Sequence, residues 1–340
     1  MASPQFERDD ISPGFYRIAE RLLSIQATDG WASRVVESFI GGFYFTHSSN
    51  ETGIIDGDIK IRTDEPPPVP SGLQSFEVPH GLCYTDGENY FLDVDDSRIA
   101  VGTLESKQIN VWLGATPHAR HPTALVNTLA YMLQAALRRC ALYDLHAAGA
   151  VEPQSGVGVL FPATANSGKS SLTIRLAKSG WRYMSDDMLV LNELTVGVEA
   201  RGLRRLFSVS DGSLAGCNLP RLDEALGTPV ASDPSKRRLD PTIVFPGARA
   251  EACIPRVLCF PFVTGETESR IEAISHTEAM ARLIKLCPWS SYDVTAARGN
   301  LRVLGRLVSQ TKSFVFRAGR DVLDDPGLPA TLFTGRFVEQ

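Results

Sequence analysis

One segment limits what this 340-residue chain can fold into more than any other. It reads FPATANSGKSS from Phe161 to Ser171, and residues 163–170 fit the pattern A/G-x-x-x-x-G-K-[ST]. The apolar run GVGVLF at residues 156–161 precedes it, and SLTIRLAK at residues 171–178 has the character of a helix. A strand, a loop with Gly168 and Lys169, and a helix in this order predict a phosphate-binding loop, with a structural Gly/Ser turn as the alternative.

The loop offers the groups that a polyphosphate requires. Backbone N–H groups converge at the start of the helix, where the helix dipole also favours negative charge. Lys169 adds a mobile cation, and Ser170 adds a hydroxyl that can ligate a metal ion. Ala163 replaces the usual glycine, which is tolerated only if its φ angle is not positive. The predicted phosphate-site residues are Ala163, Thr164, Ala165, Asn166, Ser167, Gly168, Lys169, Ser170 and Ser171.

Two adjacent carboxylates follow the loop. Gly180 is a candidate helix C-cap, and Asp186-Asp187 precedes the apolar run MLVL. In an extended backbone, neighbouring side chains point in opposite directions, so one carboxylate can reach a metal and the other a substrate hydroxyl. A solvated turn is the alternative, but the position seventeen residues after Lys169 favours a site.

Together these pieces resemble the HPr kinase/phosphorylase family. The resemblance rests on His146 in LHAAGAV, the strand GVGVLF, the loop ATANSGKSS, the helix and the SDD segment, and it is best over residues 145–192. The resemblance is closest to the stand-alone HPr-kinase-like proteins, a group that includes kinases that modify lasso peptides. The family shares its nucleotide fold with phosphoenolpyruvate carboxykinase. The resemblance implies an α/β (α+β) fold with a P-loop nucleotide core that uses ATP and Mg²⁺.

The resemblance also implies roles for single residues. Lys169 would bind the β- and γ-phosphates, and Ser170 would ligate Mg²⁺. One of Asp186 and Asp187 would accept the proton of the attacking hydroxyl while the other holds the metal. Asp186 is favoured as the base and Asp187 as the metal ligand. His146 would lie near the transferred phosphate, with a packed or surface histidine as the alternative.

A second signature of the family, Glu-x-Arg-Gly-Leu, is matched in part by the segment that begins at Glu199. Glu199 is therefore a candidate metal ligand, although it follows Asp186 by only thirteen residues, and a surface strand is the alternative. Arg204 and Arg205 are candidates for steering an anionic phosphate or substrate. The later Arg/Gly-rich segment of the family has no clear counterpart, which leaves reverse phosphorolysis and HPr as the substrate open.

Composition restricts the partners and the compartment. A net charge of −5 argues against nucleic acid as a partner, because such proteins usually carry a basic surplus. Six cysteines without a C-x-x-C pair indicate a reducing compartment. The chain shows no signal-peptide pattern and no apolar stretch of about 18 residues, so we expect a cytoplasmic protein without a membrane partner. The basic run 236–238 is either a solvated face or a segment that closes over a nucleotide or acidic peptide.

Hydrophobic periodicity divides the chain into a β-rich N-terminal part, residues 1–118, and a nucleotide-binding kinase domain, residues 119–340, on which the first part is expected to pack. Helices are predicted at residues 14–28, 31–39, 122–142 and 276–286, and buried strands at 257–263 and 312–317. Asp56-Gly57 and Asp86-Gly87 are predicted hairpin turns. Residues 220–240 are predicted to be rich in turns.

Three classes of function are compatible with these features. The first is an ATP-dependent kinase that phosphorylates a hydroxyl group on a peptide or protein serine or on a small molecule. The second is a carboxykinase-like enzyme for a small acid. The third is a nucleotide-binding regulator or partner-binding module, against which the presence of Lys169, Ser170 and both aspartates argues. The resemblance makes a homo-oligomer plausible without fixing its size.

Overall fold

The computed structural model describes residues 13–48, 54–114, 122–230 and 233–337. The chain forms two compact units, Met1–Ala141 with Trp289–Arg298, and Leu142–Pro288 with Gly299–Gln340. The predicted boundary between residues 118 and 119 falls in the segment 115–121, outside the described residues. Large mixed sheets and helices occur in both units, in agreement with the expected α+β class. Within the described residues, no helix is both long and apolar enough to cross a membrane.

The first unit is built on a nine-stranded sheet. Its strands are β1 (Gly14–Ile18), β2 (Arg21–Ala27), β3 (Thr46–Ser48), β4 (Gly57–Arg62), β5 (Gln74–Val78), β6 (Gly81–Thr85), β7 (Tyr90–Val94), β8 (Ser97–Val101) and β9 (Gln108–Trp112). They lie in the order β3-β1-β2-β4-β9-β8-β7-β6-β5, and β4 runs parallel to both of its neighbours. Helix α1 (Gly30–Ile40) contacts β2, while α2 (Pro122–Arg139) packs against β4, β7, β8 and β9.

Two predictions for this unit are wrong. The helix predicted at residues 14–28 is the β1–β2 hairpin, whose turn residues Ala19 and Glu20 have φ angles of 46° and 65°. A short apolar run fits both the helical and the strand period, and this turn contains no glycine that would indicate a hairpin. Asp56-Gly57 is not a hairpin turn, because Gly57 begins a strand that pairs in parallel with β2. The helices at residues 31–39 and 122–142 and the turn at Asp86-Gly87 are confirmed.

The second unit contains the other strands. These are β10 (Leu142–Val151), β11 (Gly158–Pro162), β12 (Arg182–Ser185), β13 (Met188–Leu194), β14 (Gly197–Gly202), β15 (Phe207–Val209), β16 (Leu226–Val230), β17 (Asp233–Leu239), β18 (Ala252–Cys253), β19 (Pro255–Val263), β20 (Arg270–Ala273) and β21 (Lys312–Ala318). The main sheet has the order β18-β14-β13-β10-β11-β19-β21-β20, with β12 also paired to β10. A small sheet has the order β15-β17-β16.

The second unit also contains helices. They are α3 (Lys169–Lys178), α4 (Asp211–Leu214), α5 (Leu222–Ala225), α6 (Pro241–Val244), α7 (His276–Lys285), α8 (Val294–Gln310), which begins in the first unit, α9 (Asp321–Asp324) and α10 (Leu328–Phe337). A 3-10 helix spans Pro288–Ser291. The ring of Phe333 on α10 lies 5.6 Å from that of Phe161 and 5.0 Å from that of Phe316. This apolar cluster fixes α3 against the sheet, since Leu172 and Leu176 belong to it.

Three neighbouring strands of the main sheet run parallel to one another. Strand β19 runs parallel to β11 on one side and to β21 on the other. The carboxyl ends of parallel strands are where open α/β sheets place their ligands, and α3 begins at that edge. The strands predicted at 257–263 and 312–317 and the helix at 276–286 are confirmed. Residues 220–240, expected to be rich in turns, contain α5 and the paired strands β16 and β17.

Candidate active site

The predicted phosphate loop connects β11 to α3. Gly168 immediately precedes the helix in the left-handed region, with φ of 90°, and no side chain caps the helix N-terminus. Asn166 also has a positive φ angle, 61°, whereas Ala163 does not, so the condition for alanine at that position is met. The uncapped first turn of α3 presents its N–H groups and the positive end of the helix dipole, which is a site suited to an anion.

Strand β10 brings His146 to this loop. Ala147 pairs with Pro162 at the end of β11, and His146 itself pairs with Met188 at the start of β13. The N–H of Ala163 donates to the His146 carbonyl oxygen over 3.2 Å. The short LH segment is therefore adjacent to both the loop and the paired aspartates because it lies on the central strand between them.

Lys169 lies across the loop. Its Nζ donates to the carbonyl oxygens of Ala163, at 2.9 Å, and Thr164, at 2.7 Å. It is 4.0 Å from Asp187 Oδ1, and the side chain is only 4% exposed. Burial lowers the pKa of Lys169, while the negative charges of Asp187 and Asp186 oppose that shift. The ammonium group of Lys169 therefore lies between the phosphate loop and the Asp187 carboxylate.

Asp186 occupies the bend between β12 and β13 and is fully buried. Its Oδ2 accepts hydrogen bonds from Ser170 Oγ at 2.7 Å and from the Ser208 N–H at 2.9 Å. Its Oδ1 has no hydrogen-bond partner among the residues that the structure describes. Burial, together with the charge of Asp187, raises the pKa of Asp186 to about 6. This carboxylate has an unused oxygen directly beside the loop serine.

Asp187 points the other way. Its Oδ1 lies 2.7 Å from His146 Nε2, and its Oδ2 lies 3.5 Å from Arg204 Nη1. Burial by itself raises the pKa of Asp187, but the His146 hydrogen bond and the charges of Arg204 and Lys169 outweigh it and bring the pKa below its ordinary value. The side chain is 28% exposed, so it is available to a substrate.

These groups meet in a cleft of about 540 Å³ within the second unit. Among the predicted phosphate-site residues, those that line it are Ala165, Asn166, Gly168, Lys169, Ser170 and Ser171. Ala163 and Thr164 contribute carbonyl oxygens to Lys169, and the buried hydroxyl of Ser167 has no hydrogen-bond partner. His146, Asp187 and Arg204 also line the cleft. The loop, the histidine and the second aspartate therefore form one site.

Glu199 does not join this group. It lies on β14, outside the lining of the cleft, and its carboxylate accepts a hydrogen bond from Arg201 at 3.3 Å. The expectation that it ligates the metal is not supported, because its charge is already matched on its own strand. Within the described ranges there is no cluster of three or more His, Cys, Asp or Glu side chains that could hold a metal ion. Arg205 also lies outside the lining of the cleft.

The resemblance favours Asp186 as the base and Asp187 as the metal ligand. The positions of the two side chains do not match this order, because Asp186 is buried against Ser170, the candidate metal ligand, while Asp187 faces the cleft beside His146. The two side chains point in opposite directions, as expected for adjacent residues of an extended segment. Which of them faces the cleft depends on the bend between β12 and β13, and the sequence does not specify it.

Sequence reasoning missed Ser208. Its N–H holds Asp186, and its Oγ accepts from Arg238 Nη1 at 2.7 Å, because β15 and β17 pair at these two residues. No local pattern indicated it, since a backbone donor twenty-two residues away carries no sequence signal. Pairing within the small sheet creates this contact.

Comparisons with known proteins give only a weak similarity to a solved structure. Neither a protein-family model nor a curated protein matches the chain. Among solved structures, it is similar to the Hpr(Ser) kinase/phosphatase from Coxiella burnetii, with a TM-score of 0.28 and 14% identity. The match covers 56% of this chain and 86% of that one. The function proposed below therefore depends on the side chains of this chain.

Proposed function

We propose that this protein is a phosphotransferase that moves the terminal phosphoryl group of ATP to a hydroxyl group, with a P-loop core of the HPr-kinase-like type. The observation that carries the proposal is the Asp186–Ser170 hydrogen bond in a site shared with Lys169 and Asp187. A phosphate loop alone serves many functions. A loop serine bonded to one carboxylate, with a second carboxylate facing the same cleft, supplies the groups for phosphoryl transfer.

The donor phosphates bind at the loop. The uncapped N-terminus of α3 offers N–H groups and a positive dipole end, and Lys169 offers a full positive charge. Lys169 exchanges the carbonyl oxygens of Ala163 and Thr164 for phosphate oxygens when the donor binds. A phosphate oxygen carries a full negative charge and a carbonyl oxygen does not, so the ammonium group is attracted more strongly to the phosphate, which favours the exchange.

The residues present fit a magnesium ion. Asp186 Oδ1 is buried without a partner, and Ser170 Oγ is bonded to the other oxygen of the same carboxylate. A buried, unpaired carboxylate oxygen is unfavourable, and oxygen ligands of this kind are those that Mg²⁺ prefers. Ser170 and Asp186 would hold the ion. When bound, Mg²⁺ neutralises charge that develops on the phosphate oxygens.

The acceptor hydroxyl binds beside Asp187 and His146. Asp187 takes the hydroxyl proton, while His146 orients the carboxylate through the 2.7 Å hydrogen bond. A low pKa is no obstacle, because the transition state of phosphoryl transfer is loose and positioning contributes most of the rate. The acceptor is a hydroxyl-bearing compound, either a serine of a peptide or protein or a small molecule.

The proposal is tested with γ-labelled ATP, Mg²⁺ and a panel of serine peptides and small polyols. Lys169→Ala should weaken ATP binding, because it removes the charge at the loop. Asp187→Asn should keep the Kd for ATP within about threefold while it slows transfer by at least about a hundredfold. Asp223→Asn on exposed α5 makes the same chemical change away from the cleft and should alter neither quantity.

Two results would argue against the proposed phosphotransferase function. Phosphoryl transfer that neither Lys169→Ala nor Asp187→Asn alters would overturn the proposal. Tight ATP binding without transfer to any acceptor would favour the nucleotide-binding regulator instead.

A further inference from the structure

The hairpin of β16 and β17 carries a cation into the cleft from outside the phosphate loop. Lys236 on β17 lines the cleft, and its Nζ donates to Asn166 Oδ1 on the loop over 3.0 Å. The same ammonium lies 3.2 Å from Asp233 Oδ2, and the side chain is 25% exposed. Much of the surrounding hairpin is exposed. The hydrogen bond of Lys236 to Asn166 connects β17 to the phosphate loop.

The register of β17 separates this lysine from its neighbour in the sequence. Arg237 donates from Nε to the Gly227 carbonyl oxygen at 3.1 Å and from Nη2 to that of Leu226 at 3.3 Å, within the hairpin itself. Arg238 donates to Ser208 Oγ, next to the backbone donor that holds Asp186. Alternate positions on the strand therefore face the site, while Arg237 braces the hairpin.

Lys236 and Lys169 place two ammonium groups around one space. Each ammonium group has a carboxylate nearby, with Asp187 Oδ1 4.0 Å from Lys169 Nζ and Asp233 Oδ2 3.2 Å from Lys236 Nζ. A phosphate carries more negative charge than one carboxylate and can attract both ammonium groups at once. The Asn166 amide oxygen is a neutral partner, and a phosphate oxygen in its place would be a charged and stronger one.

We infer that Lys236 is a second phosphate-binding cation that contacts the terminal phosphate of the donor and makes the site prefer a nucleoside triphosphate to a diphosphate. The inference rests on the proposed function in so far as the donor is a nucleotide. The loop and the N-terminus of α3 enclose the phosphates from one side. The terminal phosphoryl group must stay accessible to the acceptor, so it is the group that a side chain from a separate hairpin can reach.

Calorimetric titration with Mg²⁺ and two ligands, ADP and the non-hydrolysable β,γ-imido analogue of ATP, tests the inference. Lys236→Met keeps the aliphatic stem and removes the charge. It should weaken binding of the analogue at least about tenfold and binding of ADP by less than about twofold. Lys236→Arg should restore most of the lost affinity. Arg237→Ala, on the same strand but outside the cleft, should change neither affinity.

Each remaining outcome has a defined meaning. Equal loss of affinity for both ligands in Lys236→Met, or no loss for either, overturns the inference. If the unmodified protein binds neither ligand, the proposed function and the inference both fail. If it binds the analogue through Lys236 but transfers no phosphoryl group to any acceptor, the proposed function fails while the assignment of Lys236 stands.

Discussion

Asp186 is a buried carboxylate, and only one of its two oxygens accepts hydrogen bonds from the described residues. Ser170 and Ser208 bond one oxygen, and the other has no hydrogen-bond partner. Burial and the charge of Asp187 raise its pKa from 3.8 to about 6. An unpaired buried carboxylate oxygen is unfavourable, so Asp186 lowers the stability of the ligand-free protein, and the proposed metal ion would give that oxygen a partner.

The raised pKa of Asp186 predicts a pH dependence of stability. Between pH 3.8 and about 6 the folded protein retains a proton that the unfolded chain has lost, so the contribution of this group to stability is lost as the pH rises through that window. Asp186→Asn removes the titrating group and with it this pH-dependent contribution to the free energy of unfolding. The free energy of unfolding of Asp186→Asn, relative to the unmodified protein, should therefore rise by up to about 3 kcal/mol from pH about 4 to about 7.

Urea unfolding of both proteins at several pH values measures this difference. A difference that stays constant over the whole range would show that the pKa of Asp186 is not raised in the folded protein.

At the scale of elements, the junction of the loop and α3 depends on Gly168. Its φ angle of 90° is unfavourable for any other residue, and an added Cβ would lie 3.1 Å from Val263 Cγ2 on the neighbouring β19. Gly168→Ala should lower the free energy of unfolding by about 1–2 kcal/mol and weaken ATP binding, because the first turn of α3 must move.

Gly180, after the other end of α3, provides the matched control. Its φ angle is 92°, but an added Cβ would meet no atom within 4 Å. Gly180→Ala should reduce stability by a similar amount and leave ATP binding unchanged. Equal weakening of ATP binding in both variants would contradict a specific role for the Gly168 junction.

At the scale of the whole molecule, a buried ion pair links distant parts of the chain within the first unit. Arg139 Nη1 donates to both carboxylate oxygens of Asp293, at 3.0 and 2.9 Å, and the two side chains are 0% and 1% exposed. The contact spans 154 positions in the sequence. It connects the segment Trp289–Arg298 to the end of α2 in the same compact unit.

Removing one partner should be costly. Asp293→Ala leaves the Arg139 guanidinium buried without its counter-ion, and it should lower the free energy of unfolding by about 3–5 kcal/mol. The exposed pair of Arg282 and Glu278 on α7 is the control, and Glu278→Ala should cost less than about 1 kcal/mol. Urea unfolding followed by circular dichroism compares them. Equal effects would mean that the buried pair does not stabilise the fold.

Short-range sequence patterns predict much of the fold and of the candidate site. The strand, loop and helix around Lys169, the paired aspartates and several helices each carry a short-range pattern. The β1–β2 hairpin does not, because its turn uses Ala19 and Glu20 rather than glycine. The contact of Ser208 with Asp186 depends on strand pairing, and which of the two aspartates faces the cleft depends on a backbone bend, so only the folded chain specifies them.

The chemical identity of the labelled product shows whether a hydroxyl group receives the phosphoryl group. After a single turnover with γ-labelled ATP and Mg²⁺, we expect label on the acceptor as a phosphate monoester, which is stable to mild acid, and no such product from Asp187→Asn. Label found only as inorganic phosphate, or in an acid-labile acyl phosphate, would contradict transfer to a hydroxyl group. A monoester that Asp187→Asn forms at the same rate as the unmodified protein would contradict the role of Asp187 as the base.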